Sequence, residues 1–199
     1  MEASETKDSL NLMRSLVTAI QPLNDDAWLA FSRLFEPLRV QRKEILTHIG
    51  GRELYLYFVV EGVQRVYYND DDDRESTLVF TYAPSFGGVL DALMQQAPSR
   101  YNYESLTPSR FLRAPANALF ETMKEHQGLE QLVRKGITSA LSGVLERLVE
   151  LQSFSAEERF RSLLRRSPHI LQLVPHKYLA NYLGIDPTNF SKFINSIKI

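Results

Sequence analysis

The chain has 199 residues, of which 44% are apolar and 24% charged, with a formal net charge of −1; this is the composition of an ordinary globular protein with room for one good core, or for a large domain and a small one. It contains no cysteine, which excludes disulfides, iron–sulfur clusters, thiolate zinc sites and cysteine nucleophiles. No apolar run approaches the roughly 18 residues of a membrane-spanning helix, and the start "MEASETKDSL" is too acidic and polar for a signal peptide, so a cytoplasmic protein is expected.

Residues 7–20 carry Leu10, Met13, Leu16, Val17 and Ile20 at helical spacing, and Pro22 stops them. A second helix is expected after Asn24 as its cap, with Trp28, Leu29, Phe31, Leu34 and Phe35 as its buried stripe. From Leu38 to about Leu112 the period changes. The pieces "LRVQ", "EILTHI", "ELYLYFVV", "VQRVYYN", "ESTLVFTY", "RYNYESL" and "RFLRA" are short, β-rich and divided by turn signals. Strands at this spacing indicate a sandwich or barrel rather than a parallel sheet. Between two of them lies "DDDDR", which has neither EF-hand spacing nor a Gly pivot for calcium; a solvated hairpin tip is expected there, and no metal site.

After Pro115 the helical period returns, first in "ANALFETMKEH" and then in the long "GLEQLVRKGITSALSGVLERLVELQ". Along the latter, Ile137, Leu141, Val144, Leu148 and Leu151 alternate four and three apart, a seam of the coiled-coil kind. Such a seam lies either on the chain's own β domain or on a second copy. Ser139, Ala140, Ser142 and Gly143 beside it would let another helix come close, which favours a homodimer with Ile137, Leu141, Val144 and Leu148 in its interface. A further helix, "SAEERFRSLLRRS", is expected to be capped at Ser155, with Glu158 placed for a capping box, and to break at Pro168.

"HKYLANYLGIDPTNFSKFIN", residues 176–195, carries the strongest signal. A helix-turn-helix needs a small residue where its helices cross, a Gly at the turn and apolar residues that lock the pair. Ala180, Gly184 and the set Leu179, Leu183, Ile185, Phe190 and Phe193 meet these needs, with Asp186 as cap and Pro187 in the first turn of the second helix. Phe190, Phe193, Ile194 and Ile197 point inward on this reading. Thr188, Ser191, Lys192 and Asn195 share the outer face and, with Asn189, are the candidate contacts to base edges and phosphates. The alternative is a plain helical hairpin packed on something else. Residues 1–149 hold 16 Lys+Arg against 20 Asp+Glu, whereas residues 150–199 hold 7 against 4, so only the tail leans basic. Lys192 and Lys198 are its only cations past Lys177, with Arg159, Arg161, Arg165 and Arg166 further back as candidate phosphate contacts. A dimer presenting two copies to a palindrome would compensate for so light an armament.

A β-rich domain, a long amphipathic helix and a helix-turn-helix together resemble the Crp/Fnr family of bacterial transcription regulators over nearly the whole chain. "GRELYLYFVVEGVQRVYY" is similar to the family's paired strands around a Gly turn, "FGG...PSRYNYESL" to its phosphate-binding cassette, and "YLANYLGIDPTNFSKF" to its DNA-binding motif. The compact stretch "RFRSLLRRSPHILQLVPHKYLANYLGI" is similar to the short regulators common in Bacteroidetes. The resemblance implies an α+β fold: a double-stranded β-helix, or jelly-roll-like β-roll, with N-terminal helices over 1–125, a long dimerisation helix over 126–153 and a helix-turn-helix domain over 154–199. It implies a homodimer, double-stranded promoter DNA and RNA polymerase as partners, and a small anionic or nucleotide effector. Many relatives carry Arg at the position of Lys192 and further Arg residues after it, where this chain has Phe193 and Ile194.

In relatives that bind cyclic AMP the cassette reads Phe-Gly-Glu, then a short helix, then an Arg followed by Ser or Thr. Backbone N–H groups and the Arg hold the cyclic phosphate, and the Glu takes a ribose hydroxyl. Here Phe86, Gly87 and Arg100 match, but Gly88 stands in place of the Glu and Tyr101 follows the Arg. Gly88 cannot accept a ribose hydroxyl and Tyr101 would crowd a phosphate, so cyclic AMP in the usual pose is not expected. Gly87, Gly88, Arg100 and Tyr101 are the candidate ligand or anion contacts, with Asp91 as a substitute carboxylate. Arg100 either meets an anion or forms an ion pair with Glu104 or Asp91. His48, His126, His169 and His176 are scattered without ligand spacing, and no enzyme is expected. The other class open to the chain is a dimeric ligand-sensing or protein-interaction module that has lost strong DNA binding.

Overall fold

A computed structural model describes residues 2–196 of the chain. Helices α1 (Glu2–Ile20) and α2 (Asp25–Ser32) lead it. The Asn24 side chain accepts the Ala27 N–H at 2.8 Å and so starts α2. Eight strands follow: β1 (Glu36–Val40), β2 (Ile45–Thr47), β3 (Tyr55–Glu61), β4 (Val63–Asn69), β5 (Glu75–Tyr82), β6 (Ser85–Gly87), and, after the short helix α3 (Leu90–Gln95), β7 (Asn102–Ser105) and β8 (Ser109–Pro115). They form two four-stranded antiparallel sheets, β1-β8-β3-β6 and β2-β7-β4-β5. This is an open β-sandwich roll, the α+β architecture expected. β6 is an addition to the strands expected from sequence; three residues ending in Gly carry no alternation, and pairing with β3 alone makes them a strand.

Period-two alternation sorts the side chains of the sheets. Val40, Tyr57, Val59, Val66, Val89, Ala92, Tyr103 and Phe111 fill the space between them. A second core lies under the helices, where Met13, Val17 and Phe31 meet Phe58, Leu112, Leu119 and Leu129. Helix α4 (Ala116–Glu125) leads into the long α5 (Gln127–Ser153). The first turns of α5 bury Leu129 and Leu132. Further along, Leu141, Val144, Leu148 and Leu151 are 56%, 52%, 47% and 45% exposed, so the seam does not lie on the chain's own roll.

The C-terminal segment comprises α6 (Ala156–Arg166), α7 (Ile170–Leu173), α8 (His176–Leu183) and α9 (Pro187–Ser196). The capping box at Ser155 and Glu158 is formed on both sides. Phe160, Leu163, Ile170, Tyr178, Leu179, Leu183, Ile185 and Phe190 share one core, which also takes Val63 and Leu106 from the roll. Each such side chain buried in full stabilises by about 1.5–3 kcal/mol. The helices are therefore docked on the roll, not merely tethered to it. Ile197 and Lys198 lie outside the described residues.

Candidate ligand cassette and DNA-binding surface

The cassette is built where β6 leaves the sheet. Phe86 packs on Phe58 and Phe31, with ring centroids 5.4 and 6.4 Å apart, so β6 is anchored in the helical core. Gly88 follows at φ +114°, a conformation that side chains rarely adopt, and turns the Val89 N–H inward. That N–H donates to Glu53 Oε2 at 2.9 Å. The same oxygen accepts the Thr47 hydroxyl at 2.7 Å. Glu53 is 5% exposed. Burial pushes its pKa up, while the Val89 N–H and the Thr47 hydroxyl pull it back in part. Its other oxygen, Oε1, is buried and has no hydrogen-bond partner among the described residues.

Around this carboxyl the roll is filled. The rings of Tyr57 and Tyr103 lie 5.7 Å apart, and Phe111 closes on Tyr57 at 5.5 Å. The Tyr103 hydroxyl sits 3.0 Å from Thr81 Oγ1. Burial drives the pKa of both phenols far up, so both stay protonated. A side chain at residue 88 would begin 3.2 Å from Glu53 Oε2 and 3.4 Å from the Tyr57 ring.

Of the four ligand candidates, Gly87 and Gly88 border this filled space, Tyr101 packs half-buried against its core, and Arg100 stands outside it. The Arg100 side chain is 76% exposed, with Nη2 4.0 Å from Asp91 Oδ2 and its guanidinium carbon 5.7 Å from the centre of the Tyr101 ring. Ser99 Oγ donates to the Tyr101 carbonyl and accepts its N–H, holding that loop in place. The expectation that Arg100 could pair with Glu104 is corrected. In β7, Tyr103 points into the roll and Glu104 to its outside, where Arg65 Nε and Lys43 Nζ reach it at 2.7 and 2.8 Å.

The second surface is α8 and α9. α8 ends at Gly184, φ +62°, whose left-handed conformation lets the Ile185 N–H return to the Ala180 carbonyl at 2.9 Å. Asp186 Oδ1 accepts the Thr188 N–H at 2.8 Å and starts α9; that bond holds the Asp186 carboxyl below its usual range. Phe190 is buried edge-on against Phe160, 5.4 Å between centroids. Thr188, Asn189, Ser191, Lys192 and Asn195 are all exposed on α9. The arginines behind them are less free than the sequence implies. Arg159 donates to the Phe154 and Gly184 carbonyls, Arg161 pairs with Glu157 and Arg166 with Glu150, because α6 carries acceptors one turn away and packs beside α5.

Glu53, Arg65, Tyr178 and Asn181 were not singled out by sequence. Tyr178 of α8 lies against the Arg65 guanidinium, 4.3 Å from ring centre to carbon, and accepts a hydrogen bond from Lys43. Asn181 pairs with the edge strand β5 as another strand would: its Oδ1 accepts the Thr77 N–H and its Nδ2 donates to the Glu75 carbonyl, both at 2.7 Å. On the other side, Arg147 of α5 donates to the Tyr182 carbonyl. Among the described residues no cluster of His, Asp and Glu is placed to hold a metal, and no helix is long and apolar enough to cross a membrane.

Residues 37–126 match the family model of the cyclic nucleotide-binding domain. Among solved structures, FixK2 from Bradyrhizobium japonicum is similar with a TM-score of 0.74 at 15% identity, over 81% of this chain and 83% of that one. A transcriptional regulator assigned to the Crp/Fnr family from Eubacterium rectale gives 0.69 at 20% identity, over 87% and 82%. The c-di-GMP-responsive global regulator CLP of Xanthomonas campestris gives 0.65 at 14% identity, over 86% and 90%. No curated protein matches the chain in sequence. The roll is thus similar in sequence to a cyclic nucleotide-binding domain over residues 37–126. Over more than four fifths of the chain, C-terminal helices included, the fold is that of these Crp/Fnr-type regulators.

Proposed function

We propose that the chain is a DNA-binding transcription regulator of the Crp/Fnr type that acts as a homodimer. The observation that carries this reading is α9. Its inner side is locked by buried Phe190 and its cap by Asp186, while Thr188, Asn189, Ser191, Lys192 and Asn195 lie on one exposed stretch, as a helix entering a major groove requires. The uncovered seam of α5, with Leu141, Val144 and Leu148 exposed and Ile137 at its half-buried start, supports pairing with a second copy. On this reading residues 1–125 are the sensing roll, 126–153 the dimerisation helix and 154–199 the DNA-binding domain. The protein works in the cytoplasm, on promoter DNA and beside RNA polymerase, without catalysis of its own. A small anionic effector at Gly87, Gly88, Arg100 and Tyr101 is compatible with Arg100 being exposed. Cyclic AMP in the usual pose is not, since Glu53 and the two tyrosines fill the turn.

A second reading, a dimeric interaction module without strong DNA binding, is favoured by the internal engagement of Arg159, Arg161 and Arg166. A mobility-shift assay at low salt separates the two. Under the regulator reading the protein retards a promoter fragment from its own genome, and Lys192→Ala weakens this and lowers the salt slope by about 1 per half-site. Leu141→Glu, read in parallel by light scattering, yields a monomer that no longer shifts the fragment. No preference for any upstream region would leave the interaction module standing.

A further inference from the structure

We propose that Glu53 is the cassette's own built-in anion: its carboxylate takes the Val89 N–H at the Gly88–Val89 turn, so the roll is closed by its own chain and a diffusible anion must first displace this side chain. The inference deepens the reading above by naming how the cassette is governed. It rests on residues 86–101 being the ligand cassette of the roll, but it does not depend on DNA binding.

The argument begins with the turn. A buried backbone N–H must find an acceptor, and the left-handed Gly88 aims the Val89 N–H into the roll, away from solvent. The acceptor comes from a distant part of the chain, two residues before β3, and the same oxygen also takes the Thr47 hydroxyl from β2. A lone carboxylate buried without a counter-ion is costly, and it persists only where fixed donors hold it. No cation performs that task here: Arg100, the one matching the cassette pattern, faces solvent beside Asp91. The titratable groups that do face Glu53 are Tyr57 and Tyr103, both neutral. Oε1 has no hydrogen-bond partner among the described residues, and the donors that steady the carboxyl are the Val89 N–H and the Thr47 hydroxyl, then the Tyr55 and Leu54 N–H groups beside it in sequence. What the carboxyl completes is the turn. Gly88 is the other half of the device, since its φ of +114° is one that side chains rarely adopt and a Cβ there would start 3.2 Å from the carboxylate, which would have to shift.

The test is chemical rescue, measured on the full-length protein by thermal melting with acetate as the probe and chloride as the ionic-strength control. Glu53→Ala should melt below wild type, and about 100 mM acetate should return roughly 2–4 °C of the loss, as binding of a weak anion to the native state alone predicts. Wild type and Glu53→Gln, whose sites stay filled, should not respond. Equal acetate responses in all three proteins would overturn the proposal. Should Glu53→Ala not fold, the Val89 amide resonance decides. In wild type it should move as Glu53 titrates in acid, and in Glu53→Gln the larger part of that movement should vanish; identical titrations would refute the assignment.

Discussion

The two sides of β7 bury charge in opposite ways. Inside the roll, Glu53 is a single carboxyl among phenols, held by neutral donors, chiefly the Val89 N–H and the Thr47 hydroxyl. Outside, Glu104 sits in a balanced set. Arg65 and Lys43 reach it at 2.7 and 2.8 Å, and Glu75 approaches Arg65 Nη2 at 2.7 Å. The fully buried Arg65 guanidinium is stacked between two rings, 3.9 Å from Tyr67 and 4.3 Å from Tyr178. Burial pulls the Lys43 pKa down, but the bonds to Glu104 and Tyr178 more than offset it, and the net shift is upward. The solitary charge serves its own domain, and the balanced set serves the joint with another, since Tyr178 belongs to α8. Charges that neutralise one another can be buried at a docking face without demanding solvent, and their geometry fixes the orientation of what docks.

The largest expected effect breaks the balanced side. Arg65→Met keeps most of the volume but removes a stacked cation and leaves Glu104 with Lys43 alone, and breaking such a buried pair costs about 3–5 kcal/mol. Urea unfolding monitored by circular dichroism measures it. The double variant Arg65→Met with Glu104→Gln should recover part of the loss, because the stranded charge goes with its partner. If Arg65→Met is neutral while Glu53→Gln is severe, the contrast between the two sides is inverted and the account above is wrong.

A smaller effect sharpens the docking half of the comparison. Asn181→Ala removes two hydrogen bonds to the edge of β5, one of them from the Thr77 N–H. About 1–3 kcal/mol follows, concentrated at the joint. Hydrogen exchange should therefore speed up at the Thr77 amide and over α8 while β3 and β8, deep in the other sheet, keep their protection. Uniform loss of protection would mean that roll and helices unfold as one unit and that Asn181 has no particular hold on orientation.

How far these features were legible in the sequence follows the same division. The helices, most strands, the caps at Asn24, Ser155 and Asp186, and the turn at Gly184 rest on local chemistry, and local pattern displays them. The α5 seam was legible as an apolar stripe, though the stripe alone left open what it covers; the exposure of Leu141, Val144 and Leu148 removes the chain's own roll from the choice. The cassette could be found through Phe86, Gly87 and Arg100, yet its distinguishing group could not. Glu53 stands 36 residues from Val89 and is one acidic residue ahead of an apolar strand, a place where a charge is usually solvated. Arg65 and Tyr178, at positions read as an ordinary strand and an ordinary helix, meet only because the roll and the helix-turn-helix dock. Long-range pairings of this kind leave no periodic trace.

The smallest expected effect concerns Arg100, the residue by which the cassette was recognised. Its side chain is exposed, its contact with Asp91 spans 4.0 Å, and the Asp91 side chain is itself 42% exposed. An exposed pair at that distance contributes between nothing and about 1 kcal/mol. Arg100→Ala should thus leave the urea midpoint within error of wild type and, under the regulator reading, the promoter shift unchanged as well, because the turn it flanks is already closed from within. An arginine that a diffusible anion needs behaves otherwise: its loss would abolish any stabilisation by that anion while sparing the apo protein. Screening phosphate, cyclic AMP and acetate against wild type and Arg100→Ala by thermal melting distinguishes the cases. A shift present in wild type and missing in the variant would show that Arg100 still recruits a ligand from the outer side of the loop. The closed turn would then be one state of the cassette, with Glu53 and the incoming anion competing for the Val89 N–H.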